Sequence, residues 1–498
     1  MEELYHIIGG ERVKGTSGRF ADIYNPAIGE VEKKVPLANA DELNAAIANA
    51  KEAQPAWGAT NPQKRGRVMM KFVDLLNRDM DKLAEALSRE HGKTIPDAKG
   101  DIIRGLEVAE FCIGAPQMLK GEYSEGAGPG IDMYSIRQPV GVAAGITPFN
   151  FPAMIPMWKF CPAIVCGNAF ILKPSERDPS VPLMLAELML EAGLPAGILN
   201  VVNGDKEAVD VILDHPDIAG VGFVGSTAIA EYVYSRGCAN GKRVQCFGGA
   251  KNHMIVMPDA DMDQVVDALI GSSYGAAGER CMAISVAVPV GKETADRLVA
   301  KLTPRVEALK IAPYTAGDDA DFGPLVTKEA LARVKGFVDT GVEEGATLVV
   351  DGREFSMQGY ENGYFIGGCL FDNVTKDMEI YKQEIFGPVL TIARTENYEE
   401  ALDLAMTHEY GNGVAMFTRD GDTARDFASR INIGMVGVNV PIPVPLAYYT
   451  FGGWKRSGFG DLNQHGPDAF RFYTRTKTVT SRWPSGIKEG ADFSIPTM

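Results

Sequence analysis

From Val140 onward short apolar runs alternate with stretches of helical periodicity: VGVAAGI, a helix near Met157, AFILK, a helix over 182–192, ILNVVNG, a helix, VGFV and a further helix. Strands separated by whole helices pair in parallel, because the crossover returns the chain to the end from which it left. The order therefore predicts a doubly wound α/β sheet with helices on both faces. A second series from Val265, with strand-like ISVAVPV, TLVVDG and VLTIART between helices, predicts a second α/β lobe, and 498 residues suffice to bury two cores.

Three segments stand outside that alternation. Over 41–54 and 64–89 apolar residues recur at three- and four-residue spacing, the pattern of amphipathic helices. Glycines cluster in GEYSEGAGPG (121–130), and the alternating IDMYSIRQPVGV that follows predicts a hairpin arm leaving the compact body. Near the C-terminus FRFYTRTKTVTSRW alternates with period two and suits an exposed sheet edge, in the same chain or in a neighbour, so a homo-oligomer is expected.

Composition narrows the partners. A net charge of -16, with 49 Lys and Arg scattered rather than gathered in a basic run, argues against nucleic acid. The seven cysteines are odd in number and lack C-x-x-C spacing, which argues against a disulfide framework or zinc ribbon and for a reducing, cytoplasmic setting. Six histidines lie far apart without metal-ligand spacing, so no metal site is expected. The N-terminus MEELYHIIGGERVKG carries acids where an export signal carries bases. The most apolar stretch, 140–172, is broken by four prolines, two asparagines and Lys159, so no membrane span is expected either.

Four windows could carry chemistry. In YGAAGERCMAIS, Cys281 follows glycines, stands beside Arg280 and begins a new element. A thiol becomes a nucleophile only when cations or backbone N–H groups favour its thiolate, and Arg280 offers a charge. Taken alone, a cysteine among alanines equally suits a small core residue. In TPFNFP, Asn150 stands where the VGVAAGI strand ends, the position at which open α/β sheets bind ligands. Its amide could donate to an oxyanion, or it could simply form a turn. FILKPSE places Lys173 and Glu176 beyond the next strand, able to grip ribose hydroxyls or to form a surface turn. VGFVGST puts Gly225 and Ser226 between strand and helix, where free N–H groups could meet a phosphate.

Two matches are decoys. Gly271-Ser-Ser273-Tyr-Gly275 fits the G-x-S-x-G elbow of serine hydrolases, but DQVVDALI before it has helical periodicity, not that of a strand. Gly92-Lys93-Thr94 resembles the end of a phosphate loop, yet Leu87 stands where that loop requires glycine.

Taken together and in order, PFNFP, KPSE, GFVGST, FGGAKNH, GERC, EIFGP and FGGWKRSG resemble the aldehyde dehydrogenase family over nearly the whole chain. The resemblance implies a Rossmann-type NAD-binding domain (1–119 and 140–247), an α/β catalytic domain (248–464) and a β-hairpin oligomerisation arm (120–139 and 465–498). Dimers or tetramers would follow. It implies Cys281 as nucleophile, with Asn150 and the Cys281 N–H as the oxyanion hole. NAD would lie against Phe149, Lys173, Glu176, Gly225 and Ser226, with Glu384 of EIFGP on the nicotinamide ribose and Phe386 behind the ring. Glu176 would repel the 2′-phosphate of NADP.

One departure is informative. Hydrolytic members carry in E-L-G-G-K an acid that activates water, whereas no Asp or Glu occurs here between Glu231 and Asp259. Together with GGAKNH and GERCMA, this resembles the acylating branch of the family, which takes methylmalonate and malonate semialdehydes and passes the acyl group to coenzyme A. In that branch arginines hold the substrate carboxylate, here Arg280 and Arg104. The alternative is a hydrolytic semialdehyde dehydrogenase that releases a free acid.

Overall fold

An eight-stranded sheet carries the first lobe of the computed structural model, which describes residues 2–483. Its strands run in the order Gly458–Phe459, Arg243–Phe247, Ile218–Val224, Val142–Ile146, Ala169–Lys173, Leu199–Val201, His6–Ile8 and Glu11–Val13. The five from Arg243–Phe247 to Leu199–Val201 are parallel. Val142–Ile146 and Ala169–Lys173 are buried at every position, as befits parallel strands covered on both faces. The helix Met154–Val165 is also buried throughout, Lys159 included.

The first strand of the series lies in the middle. The chain winds outward from it through Ala169–Lys173 and Leu199–Val201, then returns to its other side with Ile218–Val224. That reversal opens a crevice beyond the carboxyl ends of the strands, the standard place for a ligand in such sheets. Register aligns those ends, with Ile146 opposite both Lys173 and Phe223.

The second lobe is a seven-stranded sheet around its own core, in the order Thr347–Val350, Cys369–Asp372, Val389–Ile392, Ile284–Pro289, Asn252–Val256, Gly413–Phe417 and Met435–Val438. All its neighbours are parallel except the edge strand Thr347–Val350. The predicted arm is present as Tyr123–Gly128 and Ile131–Pro139, joined by Thr474–Arg482, which pairs antiparallel along the whole of Ile131–Pro139.

Two of the segments singled out in the sequence take a different form in the structure. The helical pattern over 64–89 is two helices, Pro62–Arg78 and Met80–His91, parted at Asp79 (φ -102°, ψ 15°). Both bury the same side, so periodicity runs through the break, while Asn77 and Asp79 favour leaving the helix. The period-two tail is a strand only from Thr474, because Gly466–Phe472 forms a helix with Pro467 in its first turn. That helix sets Phe470 and Phe472 into the first core, and Gly458–Phe459 already pairs with Arg243–Phe247. The end of the expected arm, 484–498, lies outside the described residues. Among the described residues no helix is long and apolar enough to cross a membrane.

Candidate active site

The crevice gathers the windows that follow the first lobe's strands. Phe149 and Asn150 follow Val142–Ile146, and the Thr147 N–H donates to the Lys173 carbonyl (3.1 Å), closing the gap to the neighbouring strand. Lys173 Nζ lies 3.2 Å from Glu176 Oε2. Burial works to raise the Glu176 carboxyl, but the Lys173 ammonium, a backbone hydrogen bond and Arg177 together outweigh it and hold it below the usual carboxylate range. Ser226 caps the helix Thr227–Ala239 without a side-chain bond, so the first-turn N–H groups keep no partner inside the helix. Gly225 differs from expectation: its N–H is not free for a phosphate but donates to the Phe247 carbonyl (3.1 Å).

Cys281 reaches the crevice from the other lobe. The helix Met262–Tyr274 runs into a tight turn, Gly275–Gly278, in which Ala276 (φ 52°) and Ala277 (φ 53°) are left-handed. Each costs about 1 kcal/mol or more, tolerable only where the surroundings dictate the backbone. Gly278 (φ 74°) supplies that constraint, since a Cβ there would stand 2.1 Å from the Gly387 carbonyl oxygen. The turn is thereby stacked on the loop that carries Glu384 and Phe386, itself left-handed at Phe386 (φ 56°). Beyond the turn, Asn252 and Asn412 each donate a side-chain N–H to the Cys281 carbonyl at 3.0 Å. Segments of the second lobe therefore fix the backbone of the sulfur-bearing residue.

The thiol itself is not pre-ionised. Burial pushes it up to about 12 and the Glu384 carboxylate adds to the effect, while the N–H groups of Cys281 and Met282 pull the other way. Arg280, expected to favour the thiolate, contributes least, because its guanidinium donates to Asp97 (2.5 Å) instead. Burial raises Glu384 as well, to about 7. Since only the thiolate is alkylated, the reaction of Cys281 with iodoacetamide in the protein without NAD rises about tenfold per pH unit, with no plateau through the neutral range. Glu384→Gln removes a charge that raises the thiol, so alkylation of the Cys281 peptide at a given alkaline pH speeds up by about threefold. An unchanged profile contradicts this assignment.

Asn150 is buried, and its side-chain N–H donates to the Glu279 carbonyl (3.1 Å), which leaves a second donor on the same amide. Behind it, the buried Lys93 Nζ donates to the Asn150 backbone carbonyl (2.8 Å) and sits 3.4 Å from Asp101 Oδ2. Asp101 Oδ1 accepts the Met154 N–H (2.7 Å), and burial raises the Asp101 carboxyl to about 6 against the pull of Lys93. Lys93, which belongs to no phosphate loop, is thus the prop beneath Asn150. No sequence signal reveals that contact, because the partners are far apart in the chain.

Two of the cavities that Cys281 lines matter for the chemistry. One, of about 150 Å³, is walled by Phe149, Asn150, Gly225 and Ser226 on one side and by Glu384 and Phe386 on the other. The rings of Phe149 and Phe386 meet edge-on at 6.0 Å, and Glu384 Oε1 accepts the Ala250 N–H (3.0 Å). The second cavity, of about 380 Å³, brings Arg104 and Arg280 together with Phe151, Trp158 and Phe451. Neither guanidinium is bare. Arg104 donates to Glu107 (2.7 Å) and to the Pro445 carbonyl (2.7 Å), and Arg280 to Asp97.

The strand Arg243–Phe247 ends in a buried aromatic ring, that of Phe247, packed against Phe451 and beneath Lys159. The segment carries no carboxylate of its own; the one that reaches it, Glu384, accepts the Ala250 N–H. Ser273 lies inside a helix and is buried, so the G-x-S-x-G match is no elbow.

Comparison with known proteins gives a consistent result. The profile of the aldehyde dehydrogenase family matches residues 13–479. A malonate-semialdehyde dehydrogenase of Pseudomonas aeruginosa is 56% identical over the full length of both chains. The human mitochondrial acylating methylmalonate-semialdehyde/malonate-semialdehyde dehydrogenase is 45% identical over 99% of this chain and 91% of its own. A Sinorhizobium meliloti crystal structure, complexed with NAD and provisionally described as a methylmalonate-semialdehyde dehydrogenase, superposes with a TM-score of 0.97 at 73% identity, covering 98% of this chain and 99% of the other.

Proposed function

The chain belongs to the aldehyde dehydrogenase family, and on that premise we propose that it oxidises methylmalonate or malonate semialdehyde with NAD and transfers the acyl group to coenzyme A. The observation that carries the reading is the position of Cys281. That residue lines both a crevice suited to a dinucleotide and an arginine-bearing cavity suited to a short carboxylated aldehyde, and no Asp or Glu occurs between Glu231 and Asp259, the stretch in which hydrolytic relatives carry a base.

Cys281 attacks the aldehyde carbon. As charge develops on oxygen, the free N–H of the Asn150 amide and the Cys281 N–H donate to it, an arrangement worth about 3 kcal/mol per well-aimed donor. Lys93 and the Glu279 carbonyl hold that amide so that little reorganisation is needed. NAD, when bound, would supply the hydride acceptor; the carbon held on Cys281 gives up its hydride and is left as an acyl thioester. The crevice fits it: Lys173 and Glu176 suit the adenosine ribose, Ser226 and the unpartnered N–H groups at the start of its helix suit the pyrophosphate, and Glu384 and Phe386 flank the nicotinamide end beside Phe149. Gly225 contributes its lack of a side chain, which lets the cofactor approach the turn.

Arg104 and Arg280 orient the substrate carboxylate away from the reacting carbon. Loss of CO2 from the β-carboxy thioester places electrons on the thioester oxygen, where the same donors stabilise an enolate. The coenzyme A thiol then takes the acyl group, needing less activation than water because it is far more acidic.

Three parts follow from the same reading: an NAD-binding domain (1–119 and 140–247), a catalytic domain (248–464) and an arm (120–139 and 465–498). The arm sheet exposes Tyr123, Met133, Tyr134 and Ile136, and Met435–Val438 is an open sheet edge with Val438 exposed, which supports pairing of arm and edge between two copies in a dimer or tetramer. All seven cysteines are free thiols and five are buried, which supports a reducing, cytoplasmic setting.

The test is the product formed from methylmalonate semialdehyde, NAD and coenzyme A, identified by mass. Propionyl-CoA is expected. Methylmalonic acid as the product would establish the hydrolytic alternative, with Glu384, which lines the same crevice as Cys281, as the candidate base.

A further inference from the structure

Each arginine of the substrate cavity already holds a carboxylate of the protein, yet the chemistry proposed above asks those arginines first to bind a carboxylate and then to release it as uncharged CO2. We infer that Asp97 is a positioning residue that exchanges with the substrate carboxylate on Arg280, weakening the arginine's hold enough for decarboxylation to proceed. The inference rests on the acylating, decarboxylating reading.

Asp97 lies in the first turn of the helix Ile95–Ile113, capped by Thr94, and Arg104 follows two turns later on the same helix. Its Oδ1 accepts from Arg280 Nη2 at 2.5 Å, with the two side chains only 18% and 22% exposed. Its Oδ2 is buried and has no partner. Asp97, Arg104, Arg280 and Cys281 all line the cavity of about 380 Å³, whose remaining walls are largely apolar. A carboxylate with one oxygen buried and unpartnered costs stability unless something else is gained from it.

Charge balance at each stage supplies the gain. In the resting protein Arg280 is neutralised by Asp97. When substrate enters, its carboxylate shares the guanidinium, which has five N–H donors in a fixed fork. An arginine that bound this carboxylate with full charge would stabilise the anion and oppose its departure. With Asp97 competing, that hold is reduced. The bond between the α-carbon and the carboxylate then breaks, its electron pair enters the thioester as an enolate, CO2 leaves uncharged, and a proton from water completes the α-carbon. Arg280 has by then lost a counter-ion, and Asp97 takes it back.

The test compares wild type with Asp97→Asn, both saturated with NAD and coenzyme A, on methylmalonate semialdehyde and on propanal. Asp97→Asn is expected to raise the ratio of kcat/KM for the semialdehyde to that for propanal by about fivefold, through a lower KM. It is also expected to yield coenzyme A thioester that retains the carboxylate, methylmalonyl-CoA, which the wild type does not release. Asp97→Glu should restore the decarboxylated product, and Asp97→Ser provides the same charge deletion should the amide disturb folding. A selectivity ratio equal to that of the wild type, with decarboxylated thioester alone, would overturn the inference and reduce Asp97 to a structural partner. If the wild type forms no coenzyme A thioester from the semialdehyde, the acylating reading fails instead, and the two failures are distinguishable.

Discussion

With Cys281 replaced by alanine, NADH production from the semialdehyde falls by about ten-thousandfold, while NAD still binds. The loss is near total because the reaction needs a covalent bond to sulfur before a hydride can leave, and removing the nucleophile removes the first step rather than weakening a contact. No other thiol can stand in. Cys112, Cys161, Cys166, Cys246 and Cys369 are buried within the two lobes, and Cys238 lies on the surface in the helix Thr227–Ala239. The fold should persist, since alanine fits the space and the tethers from Asn252 and Asn412 reach the backbone carbonyl of residue 281, not its side chain. Ser273→Ala, by contrast, keeps activity within about a factor of two. Steady-state NADH formation alongside NAD titration by fluorescence checks both halves.

Asn150→Ala lowers kcat by about a hundredfold to a thousandfold with a much smaller change in the affinity for NAD. The amide donor acts on charge that exists only once the sulfur has attacked, so its loss appears in the transition state and not in ground-state binding. Lys93 holds the backbone carbonyl of residue 150 and keeps the loop in place when the side chain is cut back. An equal loss in NAD affinity would mean that the loop had collapsed. Single-turnover NADH formation separates these cases.

The doubly wound core was legible because its strands are uninterrupted apolar runs, and the arm because its glycines mark a turn. An inner strand of the second lobe, Asn252–Val256, was not anticipated. It opens with Asn252 and His253, residues that read as loop, yet both are buried. Asn252 is placed there to hold the Cys281 carbonyl. Cys281 itself stood out once seven motifs were taken in order, but its resting protonation did not, since that depends on burial and on Glu384 arriving from a distant loop. In the same way Arg280 looked like a free cation for sulfur or substrate, because Asp97 lies 183 residues away in the chain. Sequence shows which groups are present; what neutralises them is decided by packing between distant segments.

The absence of a base for water is the central claim, and mixing enzyme, NAD and semialdehyde without coenzyme A tests it most directly. A burst of about one NADH per active site followed by a stall, with turnover resuming on addition of coenzyme A, is the expected result. Continued turnover without coenzyme A at an undiminished rate, accumulating free acid, would contradict it.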